Sequence, residues 1–123
     1  MVPSTGISTT TLVARCGPIH AGDPAPSAER LMRSRYSAFA KGLADYLLHS
    51  WHPETRPETL DLDPAQRWIG LRVLTSSDGG VDDDVGTVAF EADHASGRRV
   101  ETMRERSTFE RYDGRWVYVS GTV

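Results

Sequence analysis

Apolar positions follow a helical period in the first half of the chain and a strand period in the second half. The clearest helical stripe consists of Ala28, Leu31, Met32, Tyr36 and Phe39. Ser27 precedes this stripe and is a favourable N-cap residue, and Glu29 places an acid where the helix dipole favours one. Gly42 interrupts the stripe. The pattern therefore predicts a helix that begins after Ser27 and ends near Gly42.

Two shorter helices are predicted before the strands begin. The first has an apolar face formed by Leu43, Tyr46, Leu47 and Trp51. It ends before Pro53, because the residue that precedes a proline is driven out of the helical region. Residues 63–66 combine an N-cap acid, a proline at the first helical position and a glutamine at the capping-box position. These four residues predict the start of a brief third helix.

Four strands with alternating apolar and polar positions are predicted after these helices. They lie at residues 68–75, 85–93, 99–112 and 115–121. An acidic, glycine-rich turn over residues 76–84 joins the first two strands, and residues 95–98 form a tight hairpin. Asp113-Gly114 is typical of a two-residue primed turn, so it sets the register of the last two strands.

That register predicts which side chains share a face of the sheet. With Tyr112 opposite Arg115, the strands place Phe109 opposite Tyr118, Ser107 opposite Ser120, and Glu105 opposite Thr122. The inward face is then aromatic and apolar with two polar residues, and carries Met103, Glu105, Ser107, Phe109, Trp116 and Tyr118, with Val88, Phe90 and Ala92 of the preceding strand. The outer face carries Arg104, Arg106, Thr108, Glu110, Val117 and Val119.

These elements predict an α+β fold in which N-terminal helices pack in the concavity of a curved antiparallel sheet of four main strands. At 123 residues, the chain has the length of a single domain with a real core. Residues 1–26 are rich in Gly, Pro, Ser and Thr and are expected to form an irregular N-terminal arm. Residues 27–123 are expected to form one cone-shaped domain.

Composition argues against several classes of function. The net charge is −3 with acids and bases interspersed, whereas nucleic-acid-binding surfaces are basic. No apolar run approaches the roughly 18 residues of a membrane span. Cys16 is the only cysteine, which excludes an internal disulfide and predicts a reducing, cytoplasmic compartment.

Arg35 is the most informative residue for function. It lies within the apolar stripe of the first helix, and a buried unpaired guanidinium costs several kcal/mol. Glu105, on the inward sheet face, is the expected partner, which gives the hypothesis of an Arg35–Glu105 pair inside the cone. The alternative is that Arg35 extends along the apolar surface to water and Glu105 faces solvent.

His52 is a weak candidate for a catalytic base. It follows Trp51 and precedes Pro53, so it is held at a helix end near the expected mouth of the cone. An imidazole there could accept a proton or orient a ligand, but a histidine at a helix end more often caps or hydrogen-bonds. Because no acid partner lies nearby in sequence, enzymatic activity is left open.

No metal site is expected. Cys16 and His20 have a spacing that could supply half of a zinc site, but structural zinc needs four ligands, so we interpret them as an incomplete remnant. The aspartates at residues 78–84 lack the alternation and terminal glutamate of a calcium loop. Phosphate-binding loops, dinucleotide fingerprints and nucleophile elbows are not found, and no cofactor is expected.

Three motifs stand out when the chain is taken as a whole: Leu-Met-Arg-Ser-Arg-Tyr at 31–36, Trp-His-Pro at 51–53 and Glu-Arg-Ser-Thr-Phe at 105–109. Together with residues 16–22, 45–47, 88–90 and 114–118, and with Trp68, Gly70, Leu71 and Gly121, they resemble the YchJ family of uncharacterised bacterial proteins. The chain retains these recurrent family positions: Arg33, Arg35, Tyr36, Trp51, His52, Trp68, Glu105, Ser107, Phe109, Trp116 and Tyr118.

The resemblance implies a nuclear-transport-factor-2-like (cystatin-like) cone, in which a curved sheet wraps a long helix around a central cavity. It implies no activity, because similar folds serve as isomerases, dehydratases, ligand carriers and dimerisation modules. Relatives often carry a cysteine-rich SEC-C zinc motif. Here only Cys16 is present and the chain ends after the last strand, so a core domain without SEC-C motifs is expected.

The leading hypothesis is a small-molecule-binding domain for a polar or anionic ligand of unknown identity. Its pocket candidates are Arg35, Tyr36, His52, Trp68, Glu105, Ser107, Phe109, Trp116 and Tyr118. The alternative is a protein-interaction module with a filled cone that forms homodimers through the outer sheet face at Val117 and Val119. A third hypothesis is an isomerase or dehydratase with His52 as base. Neither nucleic acid nor a membrane is expected as a partner.

Overall fold

The computed structural model of the chain describes residues 7–8, 18–21 and 24–122. Its named elements are β1 (Ile7–Ser8), α1 (Ala28–Lys41), α2 (Ala44–His49), β2 (Gln66–Asp78), β3 (Val85–Ser96), β4 (Arg99–Tyr112) and β5 (Arg115–Thr122). Within this part of the chain the strands form one five-stranded sheet in the order β1-β2-β3-β4-β5, with antiparallel neighbours. The predicted α+β fold, with four long antiparallel strands, is confirmed.

The ends of α1 lie where the sequence predicts them. The Ser27 hydroxyl accepts a hydrogen bond from the Arg30 backbone N–H at 3.2 Å, which satisfies one of the free donors of the first turn. Gly42 ends the helix in the left-handed region at φ 75°, a conformation that glycine adopts without strain. None of the helices in the described ranges has the length and apolar character needed to cross a bilayer.

The predicted third helix at residues 63–66 is wrong. The Ala65 backbone N–H donates to Asp63 Oδ1 at 2.9 Å, so the acid stabilises a turn. Gln66 is already the first residue of β2 and pairs with Ser96 of β3. Pairing with the neighbouring strand therefore takes precedence over the local helix-start signal.

The N-terminal segment makes ordered contacts where the structure describes it. Ile7 and Ser8, within the expected irregular arm, form a short strand opposite Leu71 and Gly70 of β2. Ile19 is buried against the core. The expected arm is therefore not irregular throughout, whereas the domain boundary at residue 27 stays a prediction.

The register of β4 and β5 is confirmed near the turn and wrong beyond it. Phe109 lies opposite Tyr118 as predicted. A bulge next to Phe109 then shifts the pairing, so that Ser107 lies opposite Gly121 rather than Ser120, and Thr122 lies opposite Arg106 rather than Glu105. A bulge places an extra residue on one strand, which a register counted from the turn cannot anticipate.

The core lies between α1 and the concave face of the sheet. Its members are buried apolar side chains from the helix, from each long strand and from the N-terminal segment, including Leu31, Met32, Tyr36, Leu71, Val88, Phe90, Ala92, Phe109 and Trp116. Most of these residues belong to the helical stripe or to the predicted inward face. The two periodicities thus determine which surfaces meet.

Val117 does not belong to an exposed outer face, contrary to the prediction. Its side chain is 0% exposed. The segment after α2 runs beside β5, where the Tyr118 backbone N–H donates to Ser50 O at 2.8 Å and the His52 backbone N–H donates to Tyr118 O at 2.7 Å. This segment therefore pairs with the edge of β5. Val119, the other member of the predicted pair, is half-buried.

Arginine and carboxylate side chains alternate on the outer face of β2, β3 and β4. The Arg72 guanidinium donates to both carboxylate oxygens of Asp93, at 2.7 and 2.8 Å, and to Glu91 at 3.2 Å. Arg104 donates to the opposite side of Glu91 at 2.6 Å, and the Thr102 hydroxyl donates to Asp93 at 2.7 Å. These bonds cross three strands and connect them at the surface.

We expect the Asp93→Asn variant to be less stable than the parent at pH 7 and less sensitive to acid. Hydrogen bonds from Arg72 lower the pKa of Asp93 to about 2, with a smaller contribution from Thr102. Because the folded pKa lies below the unfolded value, the carboxylate stabilises the fold above about pH 4 and loses this effect as the pH falls towards 2. The expected loss at pH 7 is about 1 kcal/mol.

Urea unfolding between pH 7 and pH 2 measures this effect. Glu101→Gln is the matched control, because the Glu101 side chain is 54% exposed and its Oε1 lies 3.6 Å from Arg99 Nε. An exposed pair at this distance contributes little to stability. The parent and the control should lose stability together below pH 4, whereas Asp93→Asn should lose less. Parallel curves for all three proteins would refute the role of Asp93.

Candidate functional site

A cavity of about 240 Å³ lies between α1 and the concave face of the sheet. Its walls are mostly aromatic and apolar, with three strongly polar residues among them. The lining consists of Met32, Arg35, Tyr36, Phe39, Trp51, Trp68, Phe90, Ala92, Met103, Glu105, Ser107, Phe109 and Tyr118. An apolar concave space with a few polar groups is the usual form of a small-molecule site.

The two periodicities of the chain place these side chains in the cavity. On α1, Met32, Arg35 and Phe39 recur at the spacing of one helix face. On β4, Glu105 and Ser107 occupy alternate positions and so point to the same side of the sheet. The polar residues therefore enter the cavity from opposite walls, Arg35 from the helix and the others from the sheet.

Arg35 is buried and binds the end of the neighbouring helix. Its side chain is 5% exposed, and Nη1 donates to Leu47 O and to Ser50 Oγ, both at 2.7 Å. The Leu47 carbonyl lies in the last turn of α2, where backbone acceptors lack helical partners and the dipole favours a cation. Arg35 thus stabilises the C-terminus of α2.

Two aromatic rings also contact the Arg35 guanidinium. Its carbon lies 4.4 Å from the ring centre of Tyr118 and 4.9 Å from that of Trp51, which are cation–π distances. Burial lowers the pKa of Arg35 to about 10, so the guanidinium remains charged at neutral pH. Nη1 carries both hydrogen bonds, and Nε and Nη2 have no acceptor among the residues that the structure describes.

The predicted direct pair between Arg35 and Glu105 is wrong. Both side chains line the cavity, but no ion pair joins them; the Ser107 hydroxyl donates to Glu105 Oε2 at 2.5 Å. Glu105 raises the pKa of Arg35 less than Tyr118 and Tyr46 do, which is the behaviour of a nearby charge without direct contact. The carboxylate instead lies against Gly121, where an added Cβ would overlap it.

Tyr118 lies between the two charged residues. Burial raises the pKa of its hydroxyl, Glu105 raises it further, and Arg35 acts in the opposite direction. The phenol therefore stays protonated at neutral pH and keeps its proton available as a hydrogen-bond donor.

Tyr36 and Trp68, two of the pocket candidates from the sequence, line the cavity. Their rings meet edge to face with centres 5.8 Å apart, and the ring centre of Phe39 lies 6.2 Å from that of Trp68. Trp68 also meets His94 at 5.2 Å. Trp68 therefore packs against three rings and presents an aromatic surface to the cavity.

His52 and Trp116, also predicted as pocket residues, are described by the structure but lie outside the cavity lining. His52 Nδ1 accepts the Glu54 backbone N–H at 3.1 Å, and its ring packs on Tyr112 at 5.0 Å. Trp116 is 2% exposed and belongs to the core. His52 thus makes a local hydrogen bond at the helix end, which is the role that a histidine has more often in this position.

The pocket prediction missed six lining residues, namely Met32, Phe39, Trp51, Phe90, Ala92 and Met103. Five of them lie on the helical stripe or the predicted inward sheet face, so the signal for them was present. Trp51 differs, because it joins β5 through an isolated parallel bridge to Tyr118. That bridge links residues far apart in sequence, which periodicity cannot reveal.

Metal ligation is not indicated within residues 7–8, 18–21 and 24–122, where no cluster of three or more potential ligands occurs. Cys16 lies outside the described residues, so the interpretation of Cys16 and His20 as an incomplete remnant stays a prediction. His20 Nε2 lies 2.8 Å from Ser34 O and 3.1 Å from Ser37 Oγ.

Comparison with known proteins agrees with this architecture. The family model described as "YchJ, middle NTF2-like domain" matches residues 27–121. A UPF0225 protein of Streptomyces coelicolor is 53% identical over 107 residues, which is 86% of this chain and 83% of the relative. A UPF0225 protein of Chromobacterium violaceum is 52% identical over 117 residues, covering 91% and 87% of the two chains.

Two solved structures share the fold. The solution structure of a SEC-C motif containing protein from Rhodopseudomonas palustris matches with a TM-score of 0.76 and 36% identity, over 88% of each chain. The crystal structure of a SEC-C motif containing protein from Psychrobacter arcticus matches with a TM-score of 0.72 and 26% identity, over 88% of this chain and 70% of that one.

Proposed function

The chain belongs to the family of the YchJ middle NTF2-like domain, and we propose that it binds a small polar or anionic molecule in the cavity, anchored on Arg35. The observation that carries the proposal is the state of the guanidinium, which is buried and charged while Nε and Nη2 lack a protein acceptor. A ligand carboxylate would accept hydrogen bonds from both atoms in a bidentate geometry.

Two observations favour binding over the other candidate functions. The cavity of about 240 Å³ supports a ligand rather than a cone filled by its own side chains. The packing of His52 against Tyr112, outside the cavity lining, argues against His52 as the base of an isomerase or dehydratase. A homodimer through the outer sheet face is compatible with ligand binding, but the burial of Val117 removes one of its two expected contacts.

We expect native mass spectrometry of freshly purified protein to show a bound small molecule that is released on denaturation. The Arg35→Lys variant should keep the fold, because lysine can still donate to Leu47 O and place a charge at the end of α2. It lacks the planar fork, so the bound fraction should fall about tenfold or more.

Arg33→Lys is the matched control for this experiment. Arg33 lies on the same helix and pairs with Glu29 at 3.2 Å, away from the cavity lining. It should retain the ligand of the parent, and circular dichroism should show all three proteins folded. Protein that carries no small molecule over repeated preparations, or an Arg35→Lys variant with undiminished ligand, would overturn the proposal. The same spectra report whether a homodimer forms.

A further inference from the structure

The sheet wall of the cavity contributes a second polar group, the carboxylate of Glu105. Glu105 Oε2 accepts from Ser107, and the other carboxylate oxygen has no donor among the residues that the structure describes. A molecule in the cavity therefore meets free donors on the helix wall and a free acceptor on the sheet wall. Such a molecule needs an acceptor group at one end and a donor group at the other.

The space between the two polar groups has aromatic walls. Seven of the lining residues are aromatic, and rings from α1, β2 and β4 all contribute. Tyr36 and Trp68 meet at an interplanar angle of 72°, and Phe109 and Tyr118 meet at 69°, so neighbouring rings present both edges and faces to the cavity. A flat aromatic ring can pair with such walls edge to face, which gains more than burial of the same area by an aliphatic chain.

The volume is sufficient for a single ring. A dry protein cavity of about 150 Å³ accommodates benzene. The cavity of this protein, at about 240 Å³, has room for one six-membered ring with two small substituents.

From these three features, and on the basis of the proposed function, we infer that the ligand is a single-ring aromatic carboxylate with a hydrogen-bond donor opposite the carboxylate. The carboxylate accepts from Arg35 Nε and Nη2. The ring lies among Tyr36, Trp68 and Phe109. The donor group, a hydroxyl in the simplest case, binds Glu105.

A set of four probes separates the parts of this inference: 4-hydroxybenzoate, benzoate without the donor, phenol without the carboxylate, and hexanoate without the ring. Isothermal titration calorimetry on the whole chain should give the tightest binding for 4-hydroxybenzoate. Removal of the carboxylate or the hydroxyl should weaken binding about tenfold each, because each removal takes away hydrogen bonds to a charged group of the cavity. Hexanoate should bind more weakly than benzoate.

Two variants assign the ends of the ligand. Arg35→Lys should weaken the binding of 4-hydroxybenzoate and of benzoate by similar factors and leave the binding of phenol nearly unchanged. Glu105→Gln should weaken the binding of 4-hydroxybenzoate and leave that of benzoate unchanged. The ratio of their two dissociation constants should therefore fall to threefold or less. Glu101→Gln, on the same strand but outside the cavity lining, should behave as the parent does.

The outcomes distinguish the inference from the proposed function. If hexanoate binds as tightly as 4-hydroxybenzoate with the same dependence on Arg35, the aromatic assignment is overturned and anion binding stands. A co-purified anionic ligand without a ring would likewise overturn the aromatic assignment and leave anion binding in place. If none of the probes binds and no molecule co-purifies, both are overturned.

Discussion

The Arg35→Ala variant should lose about 3 kcal/mol of unfolding free energy. It loses both Nη1 hydrogen bonds, each from a charged donor, and leaves Leu47 O and Ser50 Oγ without this partner. It also loses the cation–π contacts with Trp51 and Tyr118. Release of a buried charge offsets part of this loss.

Urea unfolding at pH 7 measures this effect, with two comparison variants. Arg35→Met keeps an unbranched apolar stem and removes the buried charge, so it should lose about half as much as Arg35→Ala. Arg30→Ala, at an exposed position of the same helix, should change stability by less than about 0.5 kcal/mol. An Arg35→Ala variant as stable as Arg30→Ala would show that the contacts of Arg35 contribute nothing to the fold.

Arg35 also shows which features of the site the sequence alone predicts. Its position in an apolar stripe correctly predicts burial, because the helical period determines which side of α1 faces the sheet. The expected partner Glu105 is correctly placed in the same cavity by the strand period. What the sequence did not predict is that the guanidinium binds Leu47 O and the Ser50 hydroxyl, close to it in space but on the neighbouring helix.

The errors share a physical cause, which is that tertiary contacts override local signals. The turn at Asp63 contains every feature of a helix start, yet pairing with β3 extends β2 up to it. The bulge beside Phe109 moves Gly121 next to Glu105, although the turn sequence sets the register correctly up to that point. Val117 occupies an outward position in the strand alternation, yet its side chain is fully buried.

The cavity depends on how α1 is held over the sheet, and this attachment relies on two glycines in the β2–β3 hairpin. The Ala28 backbone N–H, in the first turn of α1, donates to Gly79 O at 2.9 Å. Gly79 has φ 79°, and the Gly79 N–H donates to Val85 O at 3.1 Å. Gly86 lies opposite this turn, and both glycines are buried. Backbone thus packs directly on backbone beneath the start of the helix.

For this reason, the Gly86→Ala variant should lose about 3 kcal/mol of unfolding free energy. A Cβ at Gly86 would lie 2.5 Å from Gly79 Cα and 2.9 Å from Gly79 N, with Ala28 Cβ at 3.1 Å. None of these atoms is the end of a flexible side chain, so the hairpin or the helix must move. No side-chain rotamer change can relieve these contacts. The expected loss of unfolding free energy therefore lies at the upper end of overpacking effects.

Two other alanine substitutions separate packing from backbone conformation in the same urea experiment. Gly80→Ala, in the same turn, would meet only the Asp83 carboxylate at 3.4 Å and should cost less than about 1 kcal/mol. Gly97→Ala has φ 62° but open space around the added atom, so it should cost only the 1 to 2 kcal/mol, roughly, of a left-handed residue. If Gly86→Ala costs no more than Gly80→Ala, the hairpin yields readily. The apolar core, rather than this contact, would then determine the position of α1 over the sheet. The same would hold for the cavity wall that carries Arg35.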